Sequence, residues 1–548
     1  MAEAKLKRDV GRVGLLFAAI GSMIGSGWLF GAFNASAIAG PAAIFSWLIG
    51  GVMILLIGLS YAELGPMFPI SGGVIRYPHI VWGSFASYSL GFITWISTAA
   101  VPAIEVEGAL QYATQYAPFT VAQQADGATV HVLTPLGIGT AAILLAVFVA
   151  INAVGIRLFA RVNNVLVWWK LGVIAVVVVV FIVTALLGIG GTGGFDNYAS
   201  HRFAPGGVDG VFLAISTAGI VFSFLGFRQS IELAGETKNP RRNVPWAVIA
   251  ATLIVAGIYA LLQVAFTLAV PSEALARSNG WEKLSLANDF GPLAAIAGAA
   301  GLTWIAVLLY IDAVVSPADT GLVYTTIASR VSYAFGRNGN APRWLATTSS
   351  RGVPWWSLVL VYVIGLVLLL PFPSWQQLVG FITSGTVISF AAGPLVVSAL
   401  RRTEPGRDRP FRLPGGHTIP LLGFYSANLI VYFTGWSTNQ KLFLTIVIGY
   451  VLLVVLELVG RRSGRKPPLQ LAAGWWVLPW LGALALVAWL LDPETHPTLF
   501  LLGFPIVAVI SVLAYLLAVR LRLPREQMDR YIDDVEREAE DEPEAVSV

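Results

Sequence analysis

Residues 21–27 read Gly21-Ser22-Met23-Ile24-Gly25-Ser26-Gly27, five Gly or Ser positions around two apolar ones. The stretch sits in an apolar run of about residues 12–38 that carries no charge after Arg12, long enough to cross a bilayer, which needs about 20 residues. Gly costs about 1 kcal/mol relative to Ala in a helix, so the helix is weakest at mid-membrane. A second weak point, Ser223-Phe224-Leu225-Gly226-Phe227, lies five apolar segments further on. Exposed backbone at that depth is tolerated only where it lines a cavity or packs in protein. An unwound turn offers N–H groups to an anion and C=O groups to a cation. Two such interruptions at corresponding places in two halves of a chain point to a transporter binding site. The other reading is close helix packing, for which Gly27 and Gly31 form a small-xxx-small pair.

The rest of the chain sets the class. Of 548 residues, 56% are apolar and only 12% charged, with a mean hydropathy of +0.75. Soluble proteins carry about 25% charged residues, so a soluble enzyme, a nucleic-acid binder and a disordered protein are excluded. Fourteen apolar segments are expected, at about 12–38, 41–65, 83–113, 133–155, 163–189, 209–237, 244–270, 293–329, 354–371, 375–400, 418–437, 441–460, 473–491 and 498–520. Placed with the N-terminus inside, 28 of the 34 Lys and Arg fall in inner loops and tails and four in outer loops (Arg202, Arg277, Lys283, Lys441). That distribution follows the positive-inside rule and puts both termini in the cytoplasm. The remaining two, Lys170 and Arg228, lie within segments. Cysteine is absent, the five histidines (79, 131, 201, 417, 496) are dispersed, and no phosphate-binding G-x-x-x-x-G-K-[ST] loop occurs. Neither a metal, a cofactor nor direct ATP drive is indicated, and no enzymatic constellation is found.

Five separated motifs resemble the amino acid–polyamine–organocation superfamily of permeases, in its amino-acid transporter branch. They are Gly21 to Gly27; Tyr61-Ala62-Glu63-Leu64 through Pro69 to Ser71-Gly72-Gly73; Asn152-Ala153-Val154-Gly155; Phe224 to Phe227 running on through Gly235-Glu236-Thr237-Lys238-Asn239-Pro240; and Ser316-Pro317 with Ser329-Arg330 and Asn338 to Pro342. The resemblance implies an all-α integral membrane protein of about 14 transmembrane helices. Its core would be a 5+5 inverted repeat with discontinuous helices 1 and 6. The organisation expected is a cytoplasmic N-terminus (1–11), a ten-helix transport core (12–400), helices 11–12 (401–460), two additional helices 13–14 (461–520) and an acidic cytoplasmic tail (521–548). The tail has ten acids and four bases and reads as a solvated helix that frays, with a contact to the inner basic loops as the other reading.

The residues suggest a division of roles. The N–H groups around Gly25, Ser26 and Gly27 suit a carboxylate. By the resemblance, carbonyls near Met23, Ile24, Phe222 and Ser223 take an ammonium group, with Phe222, Phe224 and Gly226 also at the site; plain packing is the other reading of the phenylalanines. Lys170 must be paired, near water or neutral if buried in a membrane. The resemblance makes it the equivalent of a fifth-segment lysine that stands where sodium-coupled relatives hold their ion, with Asp319 and Thr320 as neighbours; snorkelling to the interface is the other reading. Arg228 departs from the family pattern, which often has an acid there. Its charge calls for Glu105, Glu107 or Asp312 as a partner, or for an acidic substrate group. The expectation is a secondary active amino-acid transporter of the plasma (cell inner) membrane, a proton symporter working by alternating access. The alternatives are an exchanger with Lys170 as a fixed cation, or a substrate sensor that does not transport. The partners expected are thus a small-molecule amino acid, a proton and membrane lipid, and no nucleic acid.

Overall fold

The computed structural model describes residues 10–70, 72–125, 128–154, 156–199, 201–286, 288–337, 339–349, 353–462, 469–493 and 495–541. The expected features at Ser71, Gly155, Asn338, Arg351, Arg465, Lys466 and the tail beyond Asp541 lie outside these residues, as do those of the N-terminus before Val10. Helices occupy all fourteen apolar segments. Segment 1 is split into Arg12–Met23 and Gly27–Ala39; segments 2, 3, 4 and 5 are Ala43–Met67, Ser84–Ala113, Pro135–Val154 and Ile156–Leu186. Segment 6 is split into Gly207–Thr217 and Phe222–Glu232, bent by 47°. Segments 7 to 10 are Pro240–Ala269, Thr303–Arg337, Trp355–Leu368 and Trp375–Thr403. Segments 11 to 14 are Thr418–Phe433, Trp436–Arg462, Leu471–Leu490 and Pro497–Arg520. Among the described residues, ten stretches are long and apolar enough to cross a membrane, eleven with the bent pair. Arg12–Met23, Trp355–Leu368 and Thr418–Phe433 are shorter.

The termini of these helices follow from local chemistry. Ser374 caps segment 10 by accepting from the Gln377 N–H, and Asn239 at φ 49° precedes Pro240, which needs no donor at the first helical position. Segments five apart pack as pairs: 1 with 6, 2 with 7, and 3 with 8, the last two forming the most extensive helix contacts of the molecule. Segment 2 approaches segment 7 closely because Gly51, Gly58 and Gly65 recur every two turns on one face. A Cβ there would lie 3.2 Å from Ala256, 3.3 Å from Val248 and 2.8 Å from Val244. In lipid no hydrophobic force drives helices together, so close backbone approach and van der Waals contact supply the attraction. Segment 10 is buried from Leu378 to Leu400, whereas segment 12 exposes Leu444, Val447, Ile448, Val451, Val455 and Leu458. An apolar surface on that scale would aggregate in water and suits a lipid-facing perimeter.

Two features lie outside the helical segments. Thr120–Ala125 and Ala128–Leu133 form an antiparallel hairpin between segments 3 and 4. The pair Asp126-Gly127 that separates them in sequence is a strong two-residue hairpin signal. Val10, ahead of segment 1, bridges Thr237: its N–H donates to the Glu236 carbonyl (3.0 Å) and its carbonyl accepts from Lys238 N–H (2.8 Å).

The acidic tail is docked as far as Val535. Its helix Arg525–Asp541 lies on the short helix Gly73–Trp82 and buries Met528, Ile532 and Val535, while Asp533 and Asp534 face outward. The tail had no apolar run to reveal this, only apolar residues at i, i+4 and i+7. The Tyr531 ring meets His79 edge-on at 4.7 Å and its hydroxyl accepts from Gln470 (2.8 Å). Leu523 N–H donates to Val81 O, Trp82 Nε1 donates to Ala518 O, and Arg525 pairs with Glu404 at 2.8 Å. Burial holds the His79 imidazole down to about 4, with Arg76 adding to the effect, so this contact stays uncharged at neutral pH. Met528→Ala is expected to weaken docking by about 2–5 kcal/mol, the cost of truncating a buried Met. Limited proteolysis should then cleave after Leu523 well before it does so in the unsubstituted protein.

Candidate functional site

The first interruption falls where the Gly/Ser stretch places it. Ile24 leaves the helix at φ −97°, ψ 85°, and the chain resumes helix at Gly27. Five polar groups at the break find their partners on other segments. Gly21 O accepts from Lys170 Nζ (3.0 Å), Met23 O from the Tyr259 hydroxyl (2.9 Å), and Ile24 O from Thr320 Oγ1 (3.1 Å). Ser26 N–H donates to Glu105 Oε2 (2.6 Å), and Ser26 Oγ accepts from Trp375 Nε1 (2.7 Å).

The second interruption lies earlier than the sequence suggested. The break spans Ala218–Val221, with Gly219 at φ +88°, and Phe222–Arg228 form tight 3-10 turns. Gly219 adopts a conformation that side chains disfavour, and the Trp375 ring stands where its Cβ would be, 2.6 Å away. Gly226 serves instead as the crossing point of the two broken helices: its Cβ would lie 2.5 Å from Met23 N. Ser223 sits against Gly27 at the same crossing. Phe222 meets Trp375 edge-on at 6.2 Å, and Phe30 packs on that indole at 5.0 Å, so three aromatic rings cover the break. Phe224 packs with Trp47 and Tyr259, and Phe227 with Phe390.

Lys170 is fully buried and its ammonium ties three segments at the first break. It pairs with Asp319 Oδ2 at 2.6 Å and donates to Thr320 Oγ1 (3.0 Å) as well as to Gly21 O. It does not snorkel. Two turns before Asp319 on segment 8, Asp312 accepts from Trp28 Nε1 (3.1 Å), Trp169 Nε1 (2.8 Å) and Ser316 Oγ (2.8 Å).

Arg228 is equally buried, but its ion-pair partner is none of the three expected. It pairs with Glu232, one turn on, at 3.0 Å, donates to Thr98 Oγ1 (2.9 Å), and lies over the Phe390 ring at 5.7 Å. Asp312 is engaged by the two tryptophans, Glu105 by Ser26, and neither carboxyl oxygen of Glu107 has a hydrogen-bond partner. Glu63 and Glu236, which like Glu232 lie near helix ends, pair with arginines close to the ends of other helices, Glu63 with Arg401 (2.5 Å) and Glu236 with Arg330 (3.2 Å). Sequence reasoning missed Trp375 and Tyr259. The signal for Tyr259 was a polar tip inside an apolar segment, which must find a partner; Trp375 at the mouth of segment 10 carried none.

An all-helical membrane bundle whose two broken helices cross at a polar, charge-tied node defines a membrane transporter. A family model described as amino acid permease matches residues 10–456, and the chain belongs to that family. It is a multi-pass membrane protein that transports amino acids. The chain is 35% identical over 488 residues to the glutamate/serine transporter AimA of Bacillus subtilis, covering 89% of this chain and 88% of the relative. It is 32% identical over 479 residues to the aspartate-proton symporter of the same organism, covering 87% and 89%. A branched-chain amino acid permease, BcaP, also of Bacillus subtilis, is 26% identical over 475 residues, covering 84% and 95%.

Proposed function

We propose that this chain is a secondary active transporter that carries an amino acid across the plasma membrane by alternating access, with a proton as coupling ion and both termini in the cytoplasm. The substrate's carboxylate faces the Gly25–Gly27 end of the first break. Its ammonium group faces the carbonyls of Met23, Ile24, Phe222 and Ser223, and Phe222 closes over it. The names of the two relatives above support an acidic or hydroxylated amino acid, and that of the symporter supports a proton. The observation that carries the reading is the Lys170 node. A cation on segment 5 bonded at once to segments 1 and 8 beside an unwound turn holds the bundle in one arrangement, and breaking the Asp319 ion pair loosens it.

Uptake of L-glutamate, L-aspartate and L-serine into liposomes tests this. With one proton per substrate, an inward gradient of one pH unit should sustain about tenfold accumulation, since one unit is worth about 1.36 kcal/mol. An uncoupler should collapse it. One observation favours the exchanger as a second reading: the Lys170 ammonium is ion-paired with Asp319 and donates to Thr320 and to Gly21 O, as a permanent cation would require. In that case uptake proceeds only into vesicles preloaded with substrate and ignores the pH gradient.

A further inference from the structure

At the head of Gly27–Ala39 the Ser26 N–H is not open: a carboxyl group of the protein itself holds it. Glu105 Oε2 accepts from Ser26 N–H at 2.6 Å. The same carboxyl lies flat against Gly25, whose Cβ would fall 2.5 Å from Oε1 and 2.9 Å from the carboxyl carbon. Segment 3 can bring Glu105 there because Gly108, one turn on, lets it approach Ser26, whose Cβ would be only 2.7 Å from a Cβ at that glycine. Glu105 is buried, its Oε1 has no hydrogen-bond partner, and no cation pairs with it among the described residues. Lys170, the nearest buried ammonium across the break, is committed to Asp319. A buried carboxyl with one oxygen unpartnered, pressed on the anion-binding end of an interrupted helix, is an arrangement usually made by a ligand.

The geometry points to Glu105 as an internal occupant of the carboxylate end of the substrate site, so that an amino acid binds by replacing one carboxyl group with another. This rests on the amino-acid reading given above. In the empty site Glu105 keeps the Ser26 N–H satisfied in a medium that offers no water. When substrate arrives, two carboxyl groups cannot both accept from that one N–H at 2.6 Å, so the Glu105 side chain must leave Ser26. Cargo without a carboxylate gives Glu105 no competitor and leaves it in place. Glu105 thereby sets a requirement for a carboxylate and lowers affinity for every substrate that has one.

The test uses purified protein with two variants and two probes. Glu105→Ala should melt below the unsubstituted protein, and sodium acetate should restore much of the loss while leaving the unsubstituted protein unaffected. Glu105→Ala and Glu105→Leu should both bind L-serine or L-aspartate more tightly than the unsubstituted protein. The gain should be about fivefold for alanine, because the Ser26–Glu105 hydrogen bond no longer has to be broken. If Glu105→Ala does not fold, Glu105→Leu, which keeps the bulk without the acceptor, carries the affinity measurement. Amino-acid binding weakened about tenfold, or unchanged within about twofold, overturns the proposal; so does Glu105→Ala protein that is indifferent to acetate. Should the unsubstituted protein bind none of the twenty amino acids while acetate still restores Glu105→Ala, the internal occupant stands and the amino-acid reading of this site falls.

Discussion

Uptake by a Lys170→Ala variant in liposomes is expected to fall by about two orders of magnitude. Removing one partner of a buried pair costs about 3–5 kcal/mol, because the other charge stays buried without compensation. Here the stranded charge is Asp319, fully enclosed by segment 8 and the first break. Gly21 O would lose its Lys170 donor in the same step and be left to share the one Thr320 hydroxyl hydrogen (3.3 Å) with Ile24 O (3.1 Å). A double variant, Lys170→Ala with Asp319→Ala, separates stability from transport. Removing both charges should recover most of the melting temperature lost in Lys170→Ala, since no ion is left unpaired. It should not recover uptake, because the tie between segments 1, 5 and 8 is still missing. If the double variant transports as well as the unsubstituted protein, the node is structural only.

The second large effect comes from one methyl group. Gly226→Ala places a carbon 2.5 Å from Met23 N, 2.5 Å from Ser22 C and 2.7 Å from Ser22 O. All three are backbone atoms, so no side chain can rotate away, and the crossing of segments 1 and 6 must spread. Overpacking of this kind costs about 1–3 kcal/mol or more, and the distortion falls where substrate is proposed to bind. Uptake should be lost and the melting temperature should drop. Gly172→Ala and Gly257→Ala are the controls: each lies in a helix with nothing within 4 Å of the added carbon. They should be neutral or stabilising by about 0.5–1 kcal/mol, the ordinary gain of Ala over Gly in a helix.

Much of this architecture was legible in the chain. The apolar segments and the first break are properties of consecutive residues, and the structure puts helices and an interruption where those residues require them. Lys170 could be matched with Asp319 and Thr320 only through the family resemblance, yet the three do converge. What escaped depends on which way each helix is turned about its axis, and composition does not encode that. Gly219 and Gly226 are both candidates for a break; only the path of segment 1 decides that one bends the chain and the other lets a neighbour in. The sequence offers Arg228 several distant acids, but its ion-pair partner lies one turn away at Glu232, and nothing in the pattern of residues distinguishes that pairing from a link to a loop. Glu105 was read for its charge alone, whereas its function follows from the N–H it reaches. The tail helix was judged by net charge, which hid a buried face of three residues.

The short bridge at Val10 has a mechanical consequence. Two main-chain hydrogen bonds fasten the outset of Arg12–Met23 to the chain leaving Phe222–Glu232, and Met23 touches Gly226 at the other end of the same pair of half-helices. Joined at both ends, these halves are coupled as one body: a rotation of either about the crossing would strain the main-chain hydrogen bonds at Val10 unless the other turned with it.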